Sequence, residues 1–302
     1  MSIICRFFVI ALLFTSAPEL DAKALSLTFN DQSGYNSEVS SPLQRTRSVL
    51  HTLKENKIQA GFFFSGMRAM SLEGRELLNL IDAENHLIGN CCYGNFRAST
   101  KSLEEFQQQL YDAESALAHL KNYRKWFRYP YLDYGNREAL GGSVLKRQQI
   151  AEFLAQENYI DARISINTLD WYIDKVIMHE YKQKRSVNQE KLKEAYVHMI
   201  LSWVNYYDRI YTKILGKPPT HSVVFILNDL NMLFLPAIIN ALKADGWDLV
   251  SPEKSYEENW VKYPQTLAER YNISSETPVF PPYLSIKEVD TFLSESEVFI
   301  SE

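Results

Sequence analysis

The sequence predicts an α/β fold in which parallel strands are covered by helices. Short apolar runs alternate with segments of helical periodicity along most of the chain, and seven of these runs are strand candidates. Strands that are buried on both faces have nearly continuous apolar sequences, and regular alternation of strands and helices is typical of parallel sheets. Seven strands in this arrangement favour a barrel over an open sheet.

Each element follows from its own local pattern. The second strand, residues 58–65 (IQAGFFFS), is almost entirely apolar. The clearest helix opens with the capping pair Ser102 and Glu105, and apolar residues then recur every three or four positions. In chain order the predicted strands are 24–29, 58–65, 86–90, 126–128, 161–166, 223–227 and 247–250. The predicted helices between them are 43–57, 72–85, 102–121, 144–158 and 231–245.

Two segments depart from this alternation. Residues 172–216 are polar, aromatic and helical in pattern, and we interpret them as a helical insertion between two strands. Residues 255–302 contain four prolines and an acidic end, so we expect loops that wrap the barrel or are partly disordered. The predicted organisation is a signal peptide over 1–22, a barrel domain over 23–254 and a C-terminal extension over 255–302.

The N-terminus has the layout of a secretory signal peptide. One arginine precedes the apolar run 7–14 (FFVIALLF), and small residues follow, so cleavage is expected after Ala22 or Ala24. Eight apolar residues cannot span a bilayer, which needs about 20. We therefore expect a secreted or periplasmic protein without a membrane span; the alternative is that this run is a buried first strand.

Composition limits the remaining choices. The net charge is −5 and the pI is about 5.8, and no basic face is evident, which argues against a nucleic-acid partner. Aromatic residues make up 13% of the chain, which suits both a large core and sugar binding. Once the signal is removed, only the adjacent Cys91 and Cys92 remain, so no disulfide framework is expected.

Polar residues end five of the predicted strands. In barrels of this kind the active site lies at the carboxyl ends of the strands. These strand ends are 28–31 (TFND), 89–95 (GNCCYGN), 127–131 (FRYPY), 167–171 (NTLDW) and 225–229 (FILND).

In order and spacing, these strand ends resemble the five motifs of the polysaccharide deacetylases, the NodB-homology family of carbohydrate esterases. The resemblance extends over about residues 24–250, and the phrase 86–90 (HLIGN) resembles the lead-in to the second motif. It implies a distorted (β/α)7 barrel and a divalent-metal site. Members of the family remove N- or O-acetyl groups from chitin-like, peptidoglycan or exopolysaccharide sugars.

The chain departs from the family pattern at the positions that carry the chemistry. The resemblance places the general base at Asn30 and one metal ligand at Asp31, but an asparagine cannot accept a proton at neutral pH. Cys91 and Asn95 stand where the family has two metal-binding histidines. The histidine expected as general acid at the fifth motif is missing, and His221 lies at the start of that strand.

Other motif positions are retained. The resemblance implies that Arg128 pairs with the base and that Trp171 lines the acetyl pocket; Tyr131 and Asp170 also match their motifs. We expect Arg128 to pair with Asp31 or Asp170, and Tyr131 and Trp171 either to stack on sugar rings or to serve as packing aromatics.

These substitutions predict that catalysis is lost while the fold is kept. General acid–base catalysis contributes about 10²–10⁴-fold per group, and a metal is needed to polarise the amide carbonyl. We therefore predict an exported pseudoenzyme that binds an acetylated cell-envelope or exopolysaccharide glycan and holds no tightly bound cofactor.

Two alternatives remain open at this stage. The first is an active metal-dependent N-deacetylase, in which Asp31, Cys91 and Asn95 hold zinc and Asp229 serves as acid or base. The second is a non-catalytic protein that docks a protein partner through the helical segment 172–216; an exposed apolar stripe on this segment would favour it.

Overall fold

A sheet of parallel strands forms the centre of the protein. The structure, a computed structural model, describes residues 23–31, 35–257 and 286–300, so the predicted signal peptide lies outside the described residues. The strands are β1 (Ala24–Asn30), β2 (Gly61–Phe64), β3 (Leu87–Asn90), β4 (Tyr123–Phe127), β5 (Ile160–Asp161), β6 (Ile166–Asn167), β7 (Thr220–Ile226) and β8 (Asp248–Leu249).

Helices cover this sheet and connect its strands. They are α1 (Pro42–Glu55), α2 (Gly66–Met70), α3 (Leu72–Ala83), α4 (Leu103–Leu117), α5 (Val144–Gln156), α6 (Asp170–Lys182), α7 (Gln189–Leu215), α8 (Asp229–Ala244), α9 (Pro252–Glu257) and α10 (Ile286–Glu295). Within the described ranges, no helix is both long enough and apolar enough to cross a membrane.

The strand order confirms the predicted barrel. The strands follow one another as β5-β4-β3-β2-β1-β7-β6, β8 also pairs with β1, and every pairing between named strands is parallel. No pairing joins β5 to β6 in the described chain, so the sheet curls into a half-barrel with an open seam between these two strands. The predicted strand 161–166 is thus replaced by two short strands on either side of this seam.

The two faces of β1 have different surroundings. Leu25, Leu27 and Phe29 are fully buried in the main apolar core, and the Phe29 ring stacks on the ring of Phe62 with centroids 5.1 Å apart. The alternate side chains point to the other face: the Thr28 hydroxyl donates to the Val223 carbonyl at 2.7 Å. The main apolar core therefore lies between the sheet and the helices, and the interior face combines polar side chains such as Thr28 with a smaller apolar cluster around Phe63 and Trp126.

The helical segment 172–216 corresponds to α6 and α7, and both helices take part in the core. The residues of α7 that face inward are buried: Leu192, Ala195, Tyr196, Met199, Ile200, Trp203, Val204 and Asp208. Since α7 precedes β7 directly, it acts as the crossover helix between β6 and β7.

The C-terminal tail contains more regular structure than expected. The expectation of loops is wrong for residues 286–295, which form α10, and Val289 and Leu293 of this helix are fully buried in the main core. Helix α9 crosses the predicted boundary between residues 254 and 255. Its Tyr256 hydroxyl accepts a hydrogen bond from Arg128 inside the barrel.

Candidate functional site

The motif positions meet at one edge of the sheet. Backbone hydrogen bonds continue the pairing one residue beyond the strands: Asp31 N–H donates to Phe63 O at 3.0 Å, and Cys91 N–H donates to Phe64 O at 3.0 Å. Arg128 N–H likewise donates to Asn90 O at 2.9 Å. Parallel strands bring their carboxyl ends to the same edge, so Asp31, Cys91 and Arg128 lie together at this end of the barrel, hereafter the cleft.

Arg128 is buried among neutral partners. Its side chain is 1% exposed, and its guanidinium stacks over the Phe63 ring at 4.1 Å from the ring centroid. It donates to the Ala162 carbonyl at 2.6 Å and to the Asn30 amide oxygen at 3.3 Å. The hydroxyls of Thr28 and Tyr256 accept its remaining bonds, at 3.2 and 2.9 Å.

The expectation that Arg128 forms an ion pair with Asp31 or Asp170 is therefore wrong. In the described chain it forms no ion pair with Asp31 or Asp170. A buried charge needs several hydrogen bonds to offset its desolvation, and four neutral oxygens supply them here.

Asp31 is paired with an arginine that the sequence motifs did not single out. Arg68 Nε lies 3.2 Å from Asp31 Oδ2, and both side chains are largely buried. Burial raises the pKa of Asp31 to about 6, and the adjacent Arg68 only partly offsets this rise. Arg68 also donates to Glu73 Oε2 at 2.8 Å, so one guanidinium joins two carboxylates.

Cys91 and Asn95, the two positions that replace histidines, differ in burial. Burial raises the pKa of the Cys91 thiol to about 12; the charge of Arg128 opposes this rise and that of Asp31 adds to it. Zinc binds the thiolate, so binding at this position would have to release the thiol proton. Asn95 is exposed in the loop after β3.

These residues do not fit a divalent metal. The Asp31 carboxylate is paired with Arg68, and Asn95 offers only a weak amide ligand from an exposed loop position. Across the described ranges, no group of three or more His, Cys, Asp or Glu side chains is arranged to hold a metal ion.

Asp170 is buried within a network of hydrogen bonds that joins α6, β7 and α8. Its Oδ2 accepts from the backbone of Ile226 and from the side chain of Asn231, both at 2.6 Å, and Oδ1 accepts from Trp171 N–H at 2.9 Å. Burial raises the pKa of Asp170 to about 6 and these hydrogen bonds oppose the rise. The described contacts of Asp170 thus hold three elements together at the edge of the cleft.

Two aromatic side chains remain accessible at this edge. Tyr131 is 51% exposed and Trp171 is 39% exposed. The Arg97 guanidinium lies over the Tyr131 ring at 4.4 Å, and Trp171 packs edge-on against Tyr172. The packing interpretation fits neither ring fully, because a large part of each faces solvent.

Asp229 faces a different part of the edge. It lines a cavity of about 190 Å³ between the segment 35–38, α6 and the β7–α8 connection. It accepts a hydrogen bond from Ser40 and lies 3.7 Å from the Arg45 guanidinium. Asp229, which the sequence suggested as a substitute acid or base, is thus engaged in a buried ion pair.

The remaining histidine of interest is part of the core. His221 is fully buried at the amino-terminal half of β7, where Nδ1 lies 2.9 Å from the Ser165 hydroxyl and Nε2 lies 3.4 Å from Asp208. It is therefore remote from the carboxyl end of the sheet, as its sequence position indicated.

Strained backbone clusters at the strand ends. Four non-glycine residues there have φ between 50° and 60°: Cys92, Tyr131, Leu132 and Leu169. This left-handed conformation is uncommon for such side chains, and in folded proteins strain of this kind clusters at ligand sites.

Sequence reasoning missed three contributors to the cleft. Arg68 and Glu73 follow β2, whose end carries none of the family motifs, and Tyr256 lies beyond the expected domain boundary. For Arg68 a signal was present: Ser65 caps the short helix α2 and Ser71 caps α3, and these caps fix the backbone around the arginine.

The half-barrel of parallel strands covered by helices matches the fold of solved family 4 carbohydrate esterases. Residues 17–143 match the family model of the polysaccharide deacetylases, which confirms the family recognised in the sequence. No curated protein matches the chain.

Several solved structures share the fold. The pseudoenzyme BA3943 of carbohydrate esterase family 4, from Bacillus anthracis, has a TM-score of 0.55 and 16% identity, covering 78% of this chain and 66% of that chain. The peptidoglycan deacetylase PdaC from Bacillus subtilis has a TM-score of 0.51 and 19% identity, covering 83% and 98%. The family 4 esterase from Streptomyces lividans, in complex with acetate, has a TM-score of 0.51 and 16% identity, covering 78% and 96%.

Proposed function

We propose that this protein binds an acetylated cell-envelope or exopolysaccharide glycan at the carboxyl end of its barrel and does not hydrolyse it. The observation that carries the proposal is the state of Asn30 and Asp31. The base position is an amide that accepts from Arg128, and the metal-ligand position is paired with Arg68.

The proposed loss of hydrolysis follows from the absence of a suitable proton acceptor at Asn30 and of a suitable metal site at Asp31. Amide hydrolysis requires a group that removes a proton from water and a cation that polarises the carbonyl. The Asn30 amide cannot accept that proton. Asp229, the other candidate acid or base, is buried in its pair with Arg45. A pseudoenzyme among the structural relatives, BA3943, shows that this fold exists without activity, and a mutant of BA3943 is described as having restored enzymatic activity.

Glycan binding is supported by the accessible aromatic rings. The flat faces of Trp171 and Tyr131 can stack on pyranose rings and contact an acetyl methyl group. Binding of this kind uses no metal, so a chelator should not weaken it. Export to the periplasm or the exterior, where such glycans occur, is part of the proposal and is supported by the signal-like residues 1–22.

The test is calorimetry with two matched oligosaccharides, one N-acetylated and one deacetylated. We expect micromolar to millimolar affinity for the acetylated oligomer, about −4 to −8 kcal/mol, with and without a chelator. Trp171→Ala should weaken binding about tenfold. Tyr111→Ala, which removes an exposed ring on α4, is the matched control and should change nothing.

Other outcomes would favour the two alternatives. Acetate release that depends on added zinc would establish the divergent deacetylase. Equal and negligible binding of both oligomers would leave the partner-protein alternative. The large apolar side chains between residues 172 and 216 are buried or half-buried, so this segment offers that alternative only a partly exposed surface.

A further inference from the structure

We infer that Arg68 is a built-in cation that takes the place of the metal ion in this cleft. Asp31 is the metal-ligand position that the chain retains, and the cation on its carboxylate is the Arg68 guanidinium, with Nε 3.2 Å from Oδ2. The inference goes beyond the proposed glycan binding, since it concerns why this cleft excludes a metal.

Arg68 is held in place by a dedicated piece of backbone. Helix α2 begins at Gly66, and its first amides donate to Cys92 O and Tyr93 O at 2.9 Å, so the helix is fastened to the loop that carries Cys91. A Cβ on Gly66 would lie 2.6 Å from the Tyr93 ring, so only glycine permits this approach.

The other end of the arginine is fixed as well. The Glu73 carboxylate accepts from Arg68 Nη1 at 2.8 Å, and the Ser71 hydroxyl donates to the Arg68 carbonyl at 2.8 Å. A Cβ on Gly74 would lie 1.9 Å from that same carbonyl. Two glycines, a serine and a glutamate therefore set the position of one guanidinium, which identifies Glu73 as a positioning residue.

Arg68 already supplies a positive charge at this position. Its guanidinium contacts the carboxylates of both Asp31 and Glu73. A zinc ion on Asp31 would sit about 2.0–2.2 Å from a carboxylate oxygen, close to a guanidinium that contacts the same carboxylate. Like charges at that separation repel strongly in a buried site.

It follows that restoring histidines alone is insufficient to create a metal site. The experiment starts from the variant Cys91→His/Asn95→His and measures Zn²⁺ affinity by calorimetry and Co²⁺ binding by visible absorption. We expect weak binding while Arg68 is present. Adding Arg68→Gln should tighten Zn²⁺ binding at least 100-fold.

A matched control separates this local effect from a general change of charge. Arg75→Gln removes an exposed arginine on α3 and should leave the metal affinity of the histidine variant unchanged. Equal Zn²⁺ affinity with and without Arg68, or a folded triple variant that binds no metal, would overturn the inference.

A second measurement needs no engineered ligands. In a double-mutant cycle, Arg68→Gln and Asp31→Asn should each destabilise the protein, and the double variant should lose less than the sum of both. Strictly additive losses would overturn the pairing. Because these readouts are metal affinity and unfolding, they can fail while glycan binding succeeds, and the reverse also holds.

Discussion

The hydrogen bond between Arg128 and Asn30 joins a charged side chain to a neutral one at the edge of the barrel. The arginine is buried and charged, and its Nη1 donates to a neutral amide at 3.3 Å. A hydrogen bond between two charged partners is shorter and about twice as strong as one between neutral groups. The present pair is therefore weaker than a carboxylate partner would make it.

The variant Asn30→Asp should consequently stabilise the fold. We expect the free energy of unfolding to rise by about 1 kcal/mol at neutral pH, because the buried Arg128 gains a charged acceptor. Asn30→Ala, which removes the acceptor, is the control and should lower it by a similar amount. Urea denaturation of both variants measures the change, and a loss of stability in Asn30→Asp would contradict this reasoning.

His86 provides a test of pH dependence. It is 3% exposed, and its Nδ1 accepts a hydrogen bond from Ala60 N–H at 3.1 Å. Burial lowers the pKa of His86 to about 4, and the charge of Glu84 opposes this shift. The unfolded chain takes up a proton near pH 6.5 and the folded chain does so only near pH 4.

Stability from His86 is therefore complete above pH 6.5 and is lost as the pH falls towards 4. The loss amounts to about 3 kcal/mol at most. His86→Gln should flatten the fall in unfolding free energy between pH 6.5 and 4, whereas His51→Gln, at an exposed position on α1, should leave it in place. Urea titrations at several pH values give the comparison.

At the residue scale, the sequence predicted which residues lie at the cleft but not which side chains they contact. The strand ends placed Asn30, Asp31 and Arg128 on one edge, because barrel geometry fixes where strands end. The partners of these residues depend on side chains from distant segments. Arg68 lies on a helix of five residues, which is too short to give a periodic pattern, and Tyr256 lies beyond the last predicted strand.

Helix ends illustrate the element scale. Helix α1 ends at Glu55, and Lys57, two residues later, has φ of 56°; Ile58 N–H then donates to Leu53 O at 2.9 Å. This geometry normally favours glycine, because the left-handed conformation costs other residues about 1–2 kcal/mol.

Lys57→Gly should therefore stabilise the protein by about 0.5–1 kcal/mol, after allowance for the greater freedom of glycine in the unfolded chain. Lys57→Ala removes the same charge without relieving the strain, and its stability should match that of the unmodified chain. Equal stability of the glycine and alanine variants in thermal melts would show that no strain is stored at this turn.

Long segments with a clear periodic pattern were predicted correctly from the sequence, whereas some short segments were not. The helix predicted from the capping pair Ser102 and Glu105 is α4, and both hydrogen bonds of its capping box are present. The predicted strand 161–166 is split because its middle crosses the open seam. Ala162 N–H still donates to Phe127 O of β4, whereas Ser165 N–H donates to Ser222 O of β7. Apolar content alone does not distinguish a continuous strand from two short ones.

At the scale of the whole molecule, the C-terminal helix closes part of the core. Leu293 and Val289 of α10 are fully buried, and the Tyr172 hydroxyl on α6 donates to Asp290 at 2.9 Å. Proline content in the tail pointed to loops, and the amphipathic pattern of ten residues was too short to outweigh it. A helix of this length is only marginally stable on its own, and packing against α7 stabilises it.

Leu293→Ala should therefore destabilise the entire fold, by about 2–5 kcal/mol, through the cavity it leaves in the core. Ile286→Ala, on the same helix at a position that is 49% exposed, should cost less than about 0.5 kcal/mol. Denaturation monitored by tryptophan fluorescence compares the two variants. Similar losses for both would mean that α10 does not pack as described.

The pairing of Arg68 with Asp31 also bears on how this cleft can evolve. Loss of Arg68 alone leaves a buried carboxylate without a partner, and gain of a metal-binding histidine alone places a ligand beside a resident cation. Each single step towards a metal enzyme is therefore unfavourable, and only a combination of substitutions crosses the gap. We therefore expect variants that carry only one of these changes to be less stable, or to bind metal more weakly, than variants that combine them.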